Sequence, residues 1–93
     1  MKEKAFVEGV KRDLETYGEI FDGENYYNSK SFSYVETIGK GHDGEIYYYY
    51  QASSDEGSVE SSGFLAENEK DFIKMDTCDI IALMNSIIYY NAH

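Results

Sequence analysis

Apolar positions change period along this chain, and the changes mark its elements. Across residues 3 to 21, Phe6, Val10, Leu14, Tyr17 and Phe21 recur at spacings of four, four, three and four, with Ile20 beside them. That spacing predicts an amphipathic helix with one face toward a core. Its other side pairs Lys4 with Glu8, Glu8 with Arg12 and Lys11 with Glu15, each pair worth about 0.3 kcal/mol at four-residue spacing. Asp22-Gly23 supplies a closing glycine, and residues 24–28 read as the exit loop.

From Ser31 the period falls to two. Phe32, Tyr34 and Ile38 share one face of a first strand over residues 31–38, interrupted by Glu36, and Ser31, Ser33, Val35 and Thr37 share the other. Three glycines in Gly39-Lys40-Gly41-His42-Asp43-Gly44 read as a turn between antiparallel strands. Residues 45–53 contain four consecutive tyrosines, which suit a pleated backbone. Alternation sets Ile46, Tyr48, Tyr50 and Ala52 toward the core and Tyr47, Tyr49, Gln51 and Ser53 toward a wetter face. Ser54-Asp55-Glu56-Gly57 makes the next turn, and Ser58 to Leu65 a third strand with Gly63 as a bulge position.

Residues 67–74 predict a short helix anchored by Phe72 and Ile73, with Met75 following. Asp76 or Thr77 then caps a final helix with Asp79 in its first turn. From Ile80 onward there is no Asp, Glu, Lys or Arg. We expect this segment to pack across the sheet rather than form a dimer seam, since a small domain needs a central helix in its core. The expected fold is therefore α+β: an N-terminal helix, a three-stranded antiparallel β-meander, then one short and one longer C-terminal helix packed on the sheet. All 93 residues form one domain in this reading, and a monomer is favoured over a homodimer.

Charge sharpens the picture. Eight basic against eighteen acidic residues give a net charge of −10, which disfavours direct contact with nucleic acid or an anionic membrane and favours a basic partner. With 42% hydrophobic and 16% aromatic residues, the chain is expected to fold. The acids are also unevenly placed. Residues 13–29 hold Asp13, Glu15, Glu19, Asp22 and Glu24, and residues 41–69 hold seven more, without one Lys or Arg in either zone. Such an array, if ordered, imitates a phosphate backbone and engages the Lys and Arg of a DNA-binding protein. The simpler reading is a solvated surface that maintains solubility. Tyr47 and Tyr49 would add rigid contact area to an interface, although plain sheet packing also accounts for the tyrosine run.

Other chemistry finds little support in the sequence. Neither Asp22-Gly23-Glu24-Asn25 nor Asp55-Glu56-Gly57 has calcium-loop spacing, and His42, His93 and Cys78 do not form a zinc-like set. The glycine-rich turn lacks a phosphate-loop ending. No catalytic residue, cofactor or metal is expected. A single cysteine fits a reducing compartment, no signal peptide is apparent, and the apolar C-terminal run is too short for a membrane span.

The order of elements and the two acidic zones around Tyr47 to Tyr50 resemble the small acidic anti-CRISPR proteins of phages, which occupy the PAM-reading or DNA-binding cleft of a CRISPR effector. The resemblance implies a chain encoded by a phage or mobile element and acting in the bacterial cytoplasm. It also implies that Glu15, Glu19, Asp22, Asp43, Glu45, Asp55, Glu56 and Glu60, with Glu24, Tyr47 and Tyr49 alongside, meet the effector's Arg and Lys and exclude target DNA. The alternatives are an immunity protein or antitoxin that plugs the basic active site of a toxin nuclease, and a non-catalytic assembly protein that dimerises through Ile80 to Tyr90.

Overall fold

The computed structural model describes residues 2–92 of the chain. The elements run α1 (Lys2–Tyr17), β1 (Glu24–Asn28), β2 (Phe32–Lys40), β3 (Ile46–Ser54), β4 (Gly57–Ala66), α2 (Glu69–Lys74) and α3 (Thr77–Ala92). The sheet has four strands in the order β1-β2-β3-β4, every neighbour antiparallel. The expected three-stranded meander is thus corrected to four strands.

The added strand is the supposed exit loop. Glu24–Asn28 pairs with β2 from Glu24 opposite Thr37 to Asn28 opposite Ser33. Its sequence shows no alternation because it is an edge strand with most of its side chains in solvent, so no apolar face is required of it. Side-chain contacts also join its ladder to the rest of the sheet. Asn25 Nδ2 donates to Glu36 Oε2 at 2.9 Å, and the Tyr27 ring stacks on Tyr34 with centroids 5.8 Å apart.

The first helix ends earlier than its apolar spacing predicts. Gly18 adopts a left-handed conformation at φ 71°, and its N–H donates to the Leu14 carbonyl at 2.9 Å, a glycine helix stop. Asp13 then accepts from the backbone N–H groups of Phe21 and Asp22, folding the segment back. Phe21 consequently leaves the core face. It is 65% exposed and meets the exposed Tyr17 ring edge to face at 5.1 Å.

The core lies between one face of the sheet and the helices. Val7, Val10 and Leu14 of α1, Ile38 of β2, Ile46 and Tyr48 of β3, Leu65 of β4, Phe72 of α2, and Ile80, Met84 and Ile87 of α3 are all buried in it. The final helix is therefore core, as its lack of charge requires. The bulge falls one turn of the pleat later than expected. Tyr47 pairs with Phe64 while Ile46 pairs with Ala66, so Leu65 is the extra residue and turns inward. Gly63 has a different task, because a Cβ there would lie 2.9 Å from the Ile87 side chain. Its absence lets α3 settle close to β4. Capping follows the local chemistry: Asn68 accepts from the Asp71 N–H at the start of α2, and Asp76 accepts from the Cys78 N–H at the start of α3. Lys11 Nζ donates to the Met75 carbonyl at 2.6 Å, which ties α1 to the α2–α3 junction.

Two polar residues interrupt this core, Ser61 and the carboxyl-bearing Glu36. Glu36 is 4% exposed, and its Oε1 accepts a 2.7 Å hydrogen bond from the Tyr48 hydroxyl while Oε2 accepts from Asn25. No Lys or Arg pairs with it among the described residues. The burial of Tyr48, followed by this hydrogen bond, pushes its phenol pKa far above the ordinary value. Desolvation also raises Tyr34 and Tyr50. A phenol whose folded pKa is raised stabilises the fold fully below about pH 10, where the unfolded phenol is also neutral. Above that pH the unfolded chain binds fewer protons than the folded one, so stability falls by up to about 1.4 kcal/mol per pH unit for the buried Tyr48, and by less for Tyr34 and Tyr50, where solvent screens the charge. Urea unfolding across the alkaline range should show this decline, with the Tyr48→Phe variant giving a shallower slope. An equal slope in that variant would locate the alkaline sensitivity elsewhere.

Candidate partner-binding surface

Burial on one face leaves the other side of the sheet uncovered. Register and pleat place Glu24 and Tyr26 of β1, Val35 and Thr37 of β2, Tyr47, Tyr49 and Gln51 of β3, and Glu60, Ser62 and Phe64 of β4 on this open side. Tyr47 lies flat over Gly39 across the strand pair, in space that a Cβ would occupy, which fixes its ring. The Tyr49 phenol pKa is raised by desolvation and then by the neighbouring Glu60, which lies diagonally across the strand pair on the same face. Tyr26 and Phe64, at the two edges, are 73% and 69% exposed.

The structure divides the expected partner-binding residues among four places. Glu19, Asp22 and Glu24 lie at the end of the sheet that also holds the β2–β3 turn with Asp43 and Glu45. Glu45 is partly engaged in that turn: its Oε2 accepts from the Asp43 N–H at 3.2 Å, and its carbonyl accepts from Gly41 N–H at 2.8 Å. Asp43 and Glu45, with Glu67, rim an open cleft of about 620 Å³ floored by Phe64, Leu65 and Ala66. Asp55 and Glu56 occupy the opposite end, at the tip of the β3–β4 hairpin, about 27 Å away by the rise of the intervening strand. Tyr47, Tyr49 and Glu60 lie between these ends on the open face. Glu15 stands apart on α1, beside Glu8, Lys11 and Arg12. The eleven residues therefore do not form one patch, but ten of them lie on the open face or at its two ends.

Most of the basic residues lie on the helices, while Lys30 sits at the Asp55 end of the sheet and Lys40 at the end that bears Glu19 and Glu24. Lys2, Lys4, Lys11 and Arg12 are on α1, Lys70 and Lys74 on α2, Lys30 in the β1–β2 turn, and Lys40 at the end of β2, where it pairs with Glu69 at 3.4 Å. No outward-facing strand position carries Lys or Arg. This separation of charge depends on the helices all packing on one face. Sequence reasoning missed Tyr26, because β1 read as loop, and Phe64, because the bulge was assigned to Gly63 instead of Leu65.

Cys78 is exposed on α3 and His42 is exposed in the β2–β3 turn, while His93 lies outside the described residues. Among the described residues no group of three or more His, Cys, Asp or Glu is placed to hold a metal ion. No helix among them is long and apolar enough to cross a membrane. No protein family, curated protein or solved structure matches the chain.

Proposed function

We propose that this protein acts by binding, not by catalysis, and that it inhibits a nucleic-acid-binding protein of the CRISPR-effector type by occupying its basic DNA-binding surface. The observation that carries this reading is the distribution of charge: an open sheet face that bears tyrosines and no Lys or Arg, with carboxyl groups outnumbering a single lysine at each end, Lys40 at one and Lys30 at the other, on a chain of net charge −10. Carboxyl groups at the ends would pair with the guanidinium and ammonium groups that hold DNA phosphates. Tyrosine rings between them supply rigid area and faces for arginine.

The test is binding to purified CRISPR effectors across a salt series, with and without guide RNA, followed by competition with target DNA. The expected result is binding that weakens as salt rises and is mutually exclusive with DNA. Binding that leaves DNA engagement untouched would remove the occupancy mechanism. Failure to bind any effector would shift the partner to a toxin nuclease.

A further inference from the structure

The β4 strand presents a second recognition element, its free edge. It has a ladder partner on one side only, β3, and it is ten residues long, whereas the other edge strand, β1, has five. Natural sheets blunt an exposed edge with Lys, Pro, a very short strand, a bulge or a covering element, and the bulge of β4 falls only at its far end, at Leu65. β4 contains neither Lys nor Pro, and Ser58, Val59, Glu60, Ser62 and Phe64 are all exposed. The two-residue turn fixes the direction of its backbone groups. Ser54 and Gly57 close the hairpin as a directly opposed pair, so they exchange both hydrogen bonds. Alternation then aims the N–H groups of Ser58, Glu60, Ser62 and Phe64 away from β3.

We infer that β4 accepts an extended, basic segment of the partner as a fifth strand of the sheet. This rests on the binding function proposed above and specifies how the partner is held. Charge selects the occupant. Residues 41–69 contain no Lys or Arg, and Glu60 projects onto the open face midway along the edge with Glu56 and Glu67 beyond its ends. An added strand would set alternate Lys or Arg side chains beside Glu60 and apolar side chains beside Val59 on the other face. A second copy of this chain is disfavoured, because pairing two bodies of charge −10 concentrates like charge.

The probe is a short alternating Arg-Val peptide added to the isotope-labelled protein, with amide hydrogen exchange as the readout. New protection is expected at Ser58, Glu60 and Ser62, while Val59, Ser61 and Gly63, already bonded to β3, change little. Ser62→Pro removes one outward N–H without breaking the β3 ladder, and should weaken peptide binding about threefold to tenfold. Glu60→Pro serves as a second variant, and the exchange pattern of the unaltered protein stands whether or not either variant folds. Peptide binding without alternate protection, and unchanged in Ser62→Pro, would overturn the edge mechanism while leaving the acidic surface as the binding site. The same alternate protection appearing without peptide as protein concentration rises would overturn the basic segment in favour of a second copy. Salt-sensitive effector binding with no peptide binding would overturn the edge alone, and loss of both would overturn the proposed function with it.

Discussion

Tyr48→Phe is expected to lower folding stability by about 2 kcal/mol, a large loss for removal of a single oxygen atom. The hydroxyl donates at 2.7 Å to a carboxyl group that is itself buried. Hydrogen bonds to such groups contribute about 1.5 to 3 kcal/mol when charge is involved, and a buried acceptor left unpaired incurs its full desolvation cost. Water has no ready route to replace the donor, since Tyr48 and Glu36 are both buried within the sheet face that packs against the helices. Pairing the change with Glu36→Leu should recover part of the loss, because removing both partners also removes the buried polar demand. Recovery will be incomplete, as Asn25 then loses its acceptor and β1 loses a tie to the sheet. Urea unfolding of the two single variants and the double variant measures the coupling directly. A loss under about 0.5 kcal/mol for Tyr48→Phe would mean that solvent reaches the Glu36 carboxyl in the folded protein.

Reversing Asp55, Glu56 and Glu60 to Lys should weaken partner binding by at least about a hundredfold while leaving the fold intact. These positions are exposed, and Glu60 neighbours Tyr49 on the same open face. The reversal shifts net charge from −10 to −4, so a control must separate local contact from bulk charge. Glu15→Lys provides one, since Glu15 lies on α1 beside Lys11 and Arg12 and away from the open face. The expected outcome is a strong loss with a shallower salt dependence for the triple variant and a small change for Glu15→Lys. Binding retained by the triple variant, with circular dichroism unchanged, would exclude the hairpin tip and move the contact to the end that bears Glu19, Asp22, Glu24, Asp43 and Glu45.

The two ends of the sheet pose a geometric question that charge alone does not. A partner groove that engages both must run along the strands, parallel to β3, with the tyrosines facing it. A partner that engages one end leaves the other as a solvated surface. Charge reversal at each end in turn distinguishes these arrangements, and the β4 edge offers the backbone track along which a long contact would be held.

Several features were legible in the sequence because they depend on local periodicity. Four tyrosines in a row alternate across a strand whatever surrounds it, and Tyr48 is buried as its parity requires. The uncharged run after Asp79 had to enter a core, and Ile80, Met84 and Ile87 do so. Tertiary structure decided the rest. Glu24–Asn28 is a strand only because β2 offers it a ladder, since its own side chains have no apolar face to declare it. Gly18 ends α1 in a left-handed conformation although the apolar spacing continues through Phe21, because a backbone stop outweighs one further apolar contact. Glu36 is tolerated inside the core only because Tyr48 and Asn25 converge on it from separate strands. The strong acidity of the chain and the clustering of its acids along it are read directly from its residues. That the bases collect mainly on the helices, and the open face carries none, follows from all three helices packing on one side of the sheet, an arrangement set by burial of apolar surface and invisible to any local pattern of charge.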